Sequence, residues 1–354
     1  MLNIGIIGAG SISEYHIGPY LNTGKCRVKA IADINIDFAE KRAKQFGIED
    51  VYSDYRELLK DESIDAVSIV TPTFTHKEIM TEAIKARKHI LCEKPPALNA
   101  QETKECCELA KKSDKVIMYG LVCRFGSHLQ FLKEYADSGK MGKIMTVEAQ
   151  RIERCSQING WFTNKKMSGG GPLIDAVIHE LDSALYVMGY PKPKVVVGYT
   201  SDINKDLPSR IKGSNSGWMP ADTSLKVTRD VENVASGYVT FENGSTLFVK
   251  TSTVLNTVSQ GTFIEFCGEK AGAILRPFTA GNELELMDTS ENYIREFKPL
   301  LDKKDIFQEQ ISHFVDCCTN GTKCMSTLDE VVRLMEIIDA IYKSAETGMP
   351  VIFE

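Results

Sequence analysis

The segment from Leu2 to Ser13 has the sequence LNIGIIGAGSIS, and the fold of the first third of the chain follows from it. Residues 2–7 are almost all apolar, as expected for a strand that is buried on both faces of a parallel sheet. The turn that follows has the pattern G-x-G-x-x-S. In a dinucleotide-binding turn the first glycine permits a tight turn, and the second lets the backbone approach a pyrophosphate. We therefore interpret Gly8 and Gly10 as phosphate-binding glycines, with Ser13 as a small residue where Gly or Ala is usual.

An acidic residue, Asp33, ends the second predicted strand roughly 20 residues after this turn, a spacing typical of dinucleotide-binding domains. A carboxylate there accepts hydrogen bonds from a ribose hydroxyl and opposes the 2′-phosphate of NADP, so NAD is favoured over NADP. The backbone amides of Ser11 and Ile12, at the start of the next helix, are expected to face the phosphates. The alternative is a glycine-rich turn and a helix-capping aspartate without a ligand.

Strand and helix patterns alternate at least five times between residues 1 and 121. This alternation predicts an α/β domain with a doubly wound parallel sheet of the Rossmann type. The predicted strands and helices are, in chain order, strand 2–7, helix 14–21, strand 28–32, helix 36–46, strand 66–70, helix 76–86, strand 89–92, helix 100–112 and strand 116–119. We assign residues 1–121 to this first domain.

The pattern changes after residue 122, where strands joined by tight turns become more frequent. Asn243-Gly244 between two apolar runs is a strong hairpin signal, and consecutive hairpins imply antiparallel pairing. The predicted elements are helix 127–138, strand 144–153, helix 173–188, strands 234–241, 246–252, 262–267 and 273–275, and helices 306–318 and 327–347. We assign residues 122–354 to a second domain. The stretch 201–229 is predicted to be a long loop that carries specificity.

Composition limits the possible classes of protein. The chain has 354 residues, enough for about two domains, and a formal net charge of −6. Nucleic-acid binding is not expected, because it needs clustered positive charge. A membrane partner is not expected either, because no apolar run reaches the roughly 18 residues that span a bilayer and no signal peptide is evident. The ten cysteines lack metal-ligand spacing, which favours reduced thiols in the cytoplasm and no bound metal.

A second motif, Cys92-Glu93-Lys94-Pro95-Pro96, ends a predicted strand of the first domain. Ligands bind at the carboxyl ends of strands in open parallel sheets, so Lys94 is expected to point toward the cofactor. A lysine there can donate a hydrogen bond to a substrate oxygen and stabilise developing negative charge. The alternative is a surface lysine at a strand end.

A third motif runs from Gly169 to Asp182 and contains three consecutive glycines followed by an apolar helical pattern. Asp175 and His179 are four residues apart, so on one continuous helix they share a face and can touch. A histidine oriented by a carboxylate is a suitable general base near neutral pH. The glycines would let the chain approach another group closely at the helix start. The alternative is a buried Asp–His pair without a catalytic role.

Together these motifs, in this order, closely resemble the Gfo/Idh/MocA oxidoreductase family, which includes glucose–fructose oxidoreductase and inositol dehydrogenase. The shared features are the G-x-G turn, Thr71-Pro72 with His76, Glu93-Lys94-Pro95 and Gly-Gly-x-Leu-x-Asp-x-x-x-His. The resemblance covers nearly the whole chain. It implies a Rossmann domain followed by an α/β domain with a large, mainly antiparallel open sheet.

The resemblance also implies which residues form the site. The catalytic residues would be Lys94, Asp175 and His179, and the same three would contact the substrate. Glu153, at the end of the first strand of the second domain, and Trp161, just before the glycine-rich helix, are added as substrate-binding candidates. Asp182 is a candidate partner of His179. The expected cofactor-binding residues are Gly8, Gly10, Ser11, Ile12, Asp33, Thr71, Pro72, His76, Glu93, Lys94 and Arg124. For His76, support of the Thr71-Pro72 turn is the alternative role.

The implied reaction moves a hydride between a nicotinamide and a secondary hydroxyl carbon of a sugar, glycoside or cyclitol. His179 would take the hydroxyl proton, Lys94 would hold the oxygen and Asp175 would orient the imidazole or the substrate. Whether Lys94 or His179 is the base stays open.

Two other functions are considered. One is a redox-neutral enzyme that keeps NAD bound and oxidises a glycoside transiently, for example at its 3-hydroxyl before release of the aglycone. The other is a noncatalytic dinucleotide-binding regulator, which would have no need to retain Lys94, Asp175 and His179. An open antiparallel sheet needs one face covered, so we also expect a homo-oligomer packed through the sheet of the second domain.

Overall fold

The computed structural model describes residues 1–203, 215–216, 229–277, 283–289 and 292–354. The described residues form two compact units, each with its own sheet. The first unit contains Met1–Val122 and also Lys304–Val332, and the second contains the other described residues. The predicted loop over 201–229 lies outside the described residues, apart from its two ends and residues 215–216.

The first unit is built on a six-stranded sheet in which every described neighbour is parallel. Its strands are β1 (Leu2–Ile7), β2 (Cys26–Ala32), β3 (Asp50–Tyr52), β4 (Ala66–Ile69), β5 (His89–Cys92) and β6 (Ile117–Tyr119). They lie in the order β3-β2-β1-β4-β5-β6, so the direction of winding reverses between β1 and β4. This order confirms the predicted Rossmann sheet and places the ligand crevice at the carboxyl ends of β1 and β4.

Five helices lie between these strands, namely α1 (Glu14–Asn22), α2 (Ile36–Phe46), α3 (Tyr55–Lys60), α4 (His76–Lys85) and α5 (Ala100–Ala110). Each of the four helices predicted for this domain is present within two residues of the expected ends. The sequence interpretation missed β3 and α3, because three strand residues and six helical residues are too short to show a clear period.

The strands described in the second unit are β7 (Ile144–Ile152), β8 (Ser156–Gln157), β9 (Pro193–Ser201), β10 (Asn215–Ser216), β11 (Val234–Phe241), β12 (Thr246–Ser252), β13 (Gly261–Gly268), β14 (Ala271–Leu275), β15 (Leu284–Asp288), β16 (Arg295–Phe297) and β17 (Val351–Ile352). Nine of them form one sheet in the order β16-β15-β14-β13-β7-β12-β11-β9-β17. Among the described pairs within this nine-stranded sheet only β7 and β12 are parallel, which confirms the mainly antiparallel sheet. A separate two-residue pair joins β8 and β10.

Helices α6 (Ser127–Asp137), α7 (Lys165–Ser168), α8 (Pro172–Asp175) and α9 (Ile178–Met188) belong to the same unit. Helix α9 packs against β7 and β13. One face of these central strands is therefore buried, and it carries Val147, Ala149, Ile264 and Phe266.

The last two helices are α10 (Ile306–Asn320) and α11 (Leu328–Thr347). Helix α10 packs on α1 of the first unit, where Tyr15 contacts Phe307 with ring centroids 4.9 Å apart and Lys25 Nζ lies 2.6 Å from Asp316 Oδ1. These contacts explain why Lys304–Val332 joins the first unit, which differs from the predicted division at residue 122. A capping box begins α11, because Thr327 and Glu330 exchange side chain to backbone hydrogen bonds.

The opposite face of the nine-stranded sheet exposes apolar side chains. Tyr238 lies opposite Val197 of β9 and Phe248 of β12, and the three are 46%, 46% and 36% exposed. Tyr199 lies two residues after Val197 on β9, on the same face of the sheet, and is 56% exposed. The described helices include none that is both long and apolar enough to cross a bilayer.

Candidate active site

The turn after β1 has the geometry that its glycines suggest. Gly8 has φ +106°, and a Cβ added there would lie 2.6 Å from the carbonyl oxygen of Val70. At Gly10 an added Cβ would meet no atom within 4 Å, so the backbone there is open on its side-chain side. Ser13 is buried, and its hydroxyl donates to the Gly10 carbonyl at 2.6 Å. The turn therefore presents a bare backbone beside the first residues of a helix, as a pyrophosphate requires.

Asp33 lies at the carboxyl end of β2, beside this turn. Its Oδ2 accepts the backbone N–H of Ala9 at 2.7 Å, and its Oδ1 accepts that of Asn35 at 2.8 Å. An ionised carboxylate has about four acceptor positions, so two remain for hydroxyl donors. The turn and the acid that would bind a ribose are thus joined by a direct hydrogen bond.

His76 supports the neighbouring loops. Its Nδ1 lies 2.8 Å from the carbonyl oxygen of Pro95, and its Nε2 lies 2.9 Å from that of Thr71. Burial lowers the pKa of His76, and this outweighs the two carbonyl groups, which favour the protonated ring. His76 is 1% exposed and holds the Thr71-Pro72 turn against the Lys94-Pro95 segment, as its alternative role requires. A contact between His76 and a cofactor stays a prediction.

Glu93 fixes the segment that carries Lys94. Its Oε1 lies 2.9 Å from Nε2 of the fully buried His16, and its Oε2 accepts the backbone N–H of Lys94 at 3.1 Å. Burial raises the pKa of the Glu93 carboxyl, but the hydrogen bond and charge interaction with His16, together with Lys94, outweigh it and the pKa is lowered. Gly120 leaves room for this carboxylate, since a Cβ there would lie 2.9 Å from Oε1.

The sequence interpretation did not single out His16. His16 lies on α1, one turn beyond the glycine turn, and its Nδ1 lies 3.2 Å from Ser68 Oγ on β4. Because its other nitrogen contacts Glu93, this imidazole ties the helix after the dinucleotide turn to the lysine segment. Lys94 itself is half-buried and follows the carboxyl end of β5.

The helix predicted over 173–188 is interrupted in the structure. Helix α8 ends at Asp175 and α9 begins at Ile178. At the junction the N–H groups of both Ala176 and Val177 donate to the carbonyl of Pro172, at 3.1 and 2.9 Å. The bond from Val177 spans five residues, a π-type turn that often occurs at functional sites. The premise of one continuous helix was therefore wrong, and Asp175 and His179 lie on consecutive helical segments, both half-buried.

The glycines before α8 allow the close approach that was expected. A Cβ at Gly170 would overlap the hydroxyl of Tyr342, and a Cβ at Gly171 would overlap the carbonyl oxygen of Glu232. The Glu232 carboxylate accepts hydrogen bonds from Gly171 and Leu173 as well. Neither Glu232 nor Tyr342 was singled out from the sequence, because each is far from the glycines along the chain.

Arg124, a predicted cofactor-binding residue, lies in a buried ion pair. Its side chain is fully buried, with Nε 2.9 Å from Asp182 Oδ2 and Nη2 2.6 Å from Asp182 Oδ1. Tyr190 donates to the same carboxylate, and the guanidinium also lies over the Tyr186 ring at 4.8 Å. The guanidinium is thus held inside the second unit, and the contact of Arg124 with a cofactor stays a prediction. Asp182 is likewise paired with Arg124 rather than placed as the predicted partner of His179.

Trp161 and Glu153 occupy different surroundings. Trp161 stacks on Phe162 with ring centroids 3.8 Å apart. Phe162, rather than Trp161, lines a small cavity together with Asp175 and Glu232. Glu153 follows β7, is 42% exposed at its side chain and lies 3.8 Å from Arg151 Nε. Both residues stay predictions as substrate contacts.

All ten cysteines are free. Within the described part of the chain, no group of three or more His, Cys, Asp and Glu side chains is arranged to hold a metal ion.

Comparison with known proteins gives the family. Residues 2–121 match the GFO_IDH_MocA model, described as an oxidoreductase family with an NAD-binding Rossmann fold. Residues 133–353 match the GFO_IDH_MocA_C model, described as the C-terminal alpha/beta domain of an oxidoreductase family.

Two of the relatives are named as dehydrogenases of a glucoside and of levoglucosan. The chain is 33% identical to the D-glucoside 3-dehydrogenase of Escherichia coli strain K12, over 98% of this chain and 96% of that protein. It is 27% identical to the levoglucosan dehydrogenase of Pseudarthrobacter phenanthrenivorans, over 82% of this chain and 77% of that protein. A solved levoglucosan dehydrogenase in complex with NADH and levoglucosan has the same fold, with a TM-score of 0.84, 23% identity and 99% coverage of both chains. Because the two family models together match nearly the whole length, the chain belongs to the Gfo/Idh/MocA family of oxidoreductases, with an N-terminal NAD-binding Rossmann domain.

Proposed function

We propose that the chain oxidises a secondary hydroxyl of a glycoside, with the 3-hydroxyl of a glucoside as the first candidate and NAD as the hydride acceptor. The observation that supports it most is the convergence of the glycine turn, Asp33 and Lys94 at one edge of a parallel sheet. The choice of a glucoside rests on the nearly full-length similarity to the E. coli enzyme.

The residues of the first unit fit a dinucleotide. The backbone of Gly8, Gly10, Ser11 and Ile12 would hold the pyrophosphate, and Asp33 would accept the ribose hydroxyls. When bound, the nicotinamide supplies the hydride acceptor. The negative charge of Asp33 favours NAD over NADP, because this carboxylate, which accepts the backbone N–H groups of Ala9 and Asn35, would repel a 2′-phosphate.

The remaining chemistry belongs to three side chains. Lys94 donates a hydrogen bond to the reacting hydroxyl and stabilises its alkoxide character as the C–H bond breaks. His179 accepts the hydroxyl proton, and Asp175 orients the imidazole or the sugar. A noncatalytic regulator would need none of these groups at these positions.

The test is absorbance at 340 nm with NAD or NADP and a panel of glucosides, monosaccharides and inositols. We expect sustained formation of NADH with a glucoside and a slower rate with NADP. A single turnover only, with NAD released on denaturation, would identify the redox-neutral alternative. No oxidation of any sugar class, with NAD still bound, would instead support the regulator.

We also propose that the exposed face of the nine-stranded sheet packs against a second copy of the chain. Four apolar side chains on this face, Val197, Tyr199, Tyr238 and Phe248, are each more than one-third exposed. A contiguous apolar patch on a sheet usually marks an interface.

Tyr238→Glu is expected to convert the oligomer to a smaller species, because a carboxylate in the middle of this face would be buried without a partner on association. The measurement is sedimentation velocity at micromolar concentration. Leu300→Glu is the control, since Leu300 is fully exposed in the same unit and lies outside the sheet. A monomeric native chain, or a Tyr238→Glu variant of unchanged size, would contradict the proposal.

A further inference from the structure

The carboxylate of Glu232, which belongs to none of the recognised motifs, contacts the segment that carries Asp175. Glu232 precedes β11, and its Oε2 accepts the backbone N–H of Gly171 at 2.9 Å. Its Oε1 accepts the backbone N–H of Leu173 at 3.2 Å and the hydroxyl of Tyr342 at 2.8 Å. Both oxygens are therefore used, and all three donors are neutral groups.

The chain around this carboxylate is shaped to receive it. Side chains at Gly170 and Gly171 would overlap Tyr342 and Glu232. The absence of side chains at these two positions therefore lets the backbone approach both groups. Burial raises the pKa of the Glu232 carboxyl, and the hydrogen bonds from Gly171, Tyr342 and Leu173 oppose the rise. Burial and the Glu232 carboxylate raise the pKa of Tyr342, so its hydroxyl stays protonated and can donate.

Glu232 is linked to Asp175 through one turn of backbone. Gly171 donates its N–H to Glu232, while its carbonyl accepts the N–H of Asp175 at 3.1 Å. Leu173, which donates to the other oxygen, lies in the same helical turn. Glu232 and Asp175 also line the same cavity. A shift of the carboxylate would therefore move the turn whose last residue is Asp175.

We propose that Glu232 is a positioning residue, which sets the orientation of Asp175 by holding the backbone of Gly171 and Leu173 and is itself held by Tyr342. This inference rests on the proposed function of Asp175. Helix α8 has only four residues and is followed directly by an irregular junction, so its own hydrogen bonds do little to fix it. The external carboxylate supplies that restraint.

Glu232→Gln is the informative change, because it keeps the size of the side chain and replaces one acceptor oxygen with a donor. In either orientation the new amide N–H faces a backbone N–H, that of Gly171 or that of Leu173. One of the two backbone N–H groups then loses its acceptor, and the start of α8 loses one of the two hydrogen bonds that hold it to residue 232. Tyr342→Phe removes only the hydroxyl donor and leaves both backbone bonds in place.

The experiment is a double-mutant cycle between Glu232→Gln and Asp175→Asn, with kcat and KM measured for the best glycoside together with NADH affinity and melting temperature. We expect Glu232→Gln to lower kcat about 10- to 100-fold, as displacement of a reacting group by about 1 Å can do, with NADH affinity unchanged. We expect the double variant to be no more than about twofold slower than Asp175→Asn alone, because coupled residues are not additive. Glu242→Gln, at an exposed position just beyond β11, is the control.

The outcomes separate the two proposals. Full activity of Asp175→Asn would overturn the proposed role of Asp175. A slow Asp175→Asn variant combined with an unaffected Glu232→Gln variant, or with losses that multiply in the double variant, would overturn only the positioning role of Glu232. If Glu232→Gln does not fold, Tyr342→Phe takes its place in the same cycle. Its expected effect is a decrease in kcat of about two- to fivefold that is absent in the Asp175→Asn background, and an additive effect would overturn the inference.

Discussion

Lys94→Met is expected to lower the rate of glycoside oxidation about 10²- to 10³-fold, which is the cost of removing one donor from a developing oxyanion. Lys94 follows the carboxyl end of β5, and its backbone is fixed by the hydrogen bond to Glu93. Methionine has a similar length but cannot donate a hydrogen bond or carry a charge. The backbone of this segment should therefore stay in place while the electrostatic contribution to the reacting oxygen is lost.

NADH affinity is the second readout of this variant. Lys94 is also a predicted cofactor contact, but the proposed pyrophosphate and ribose contacts come from the glycine turn and Asp33. Loss of this one side chain should therefore raise the Kd of NADH by no more than about threefold, far less than the fall in rate. Quenching of intrinsic fluorescence measures this Kd, and stopped-flow absorbance at 340 nm measures the oxidation step. Lys112→Met, at an exposed position after α5, is the matched control. A variant that keeps more than a tenth of the native rate would contradict the role of Lys94.

The first unit could be predicted from sequence because its signals are local. The apolar run of β1, the G-x-G turn and Asp33 lie within the first strands of the domain, and the order of winding follows from the rules for parallel sheets. Once β5 is recognised, the same rules predict that Lys94 lies at the carboxyl ends of the strands, where ligands bind in such sheets. The return of Lys304–Val332 to this unit has no such signal, since it depends on contacts such as Tyr15 with Phe307, far apart in the chain.

The groups that hold the candidate site in place could not be predicted from one sequence. Two of these pairs, Glu93 with His16 and Arg124 with Asp182, join residues more than 50 positions apart in the chain. The local sequence around one partner does not indicate which residue it contacts. Arg124 shows the consequence. Its position after the last Rossmann strand suggests a cofactor contact, whereas burial beside Asp182 makes it part of a structural ion pair.

The break between α8 and α9 illustrates a different limit. The apolar pattern continues without interruption through Ile174, Val177 and Ile178, so periodicity alone predicts one helix. The change of hydrogen bonding at Pro172 is set by tertiary contacts of the preceding glycines, which the periodic pattern does not record. The pairing of Asp175 with His179 therefore rests on the proposed chemistry and on its test.

His179→Asn is expected to lower kcat about 10²- to 10⁴-fold, the usual contribution of a positioned general base, with little change in the KM of the sugar. Asparagine keeps a polar side chain but cannot accept a proton near neutral pH. If His179 is the base, the native pH–rate profile falls at low pH as the imidazole becomes protonated, and this fall is absent in the variant. The measurement is kcat across pH 5–10 for the native chain, His179→Asn and Lys94→Met.

The same profiles decide which residue takes the proton. We expect Lys94→Met to remain slow at every pH while keeping the fall at low pH, because the imidazole is still present. Added imidazole should partly restore His179→Ala, since a half-buried side chain leaves a space that a small base can enter. Loss of the low-pH fall in Lys94→Met, together with its retention in His179→Asn, would instead make Lys94 the base and leave His179 as a hydrogen-bond partner of the sugar.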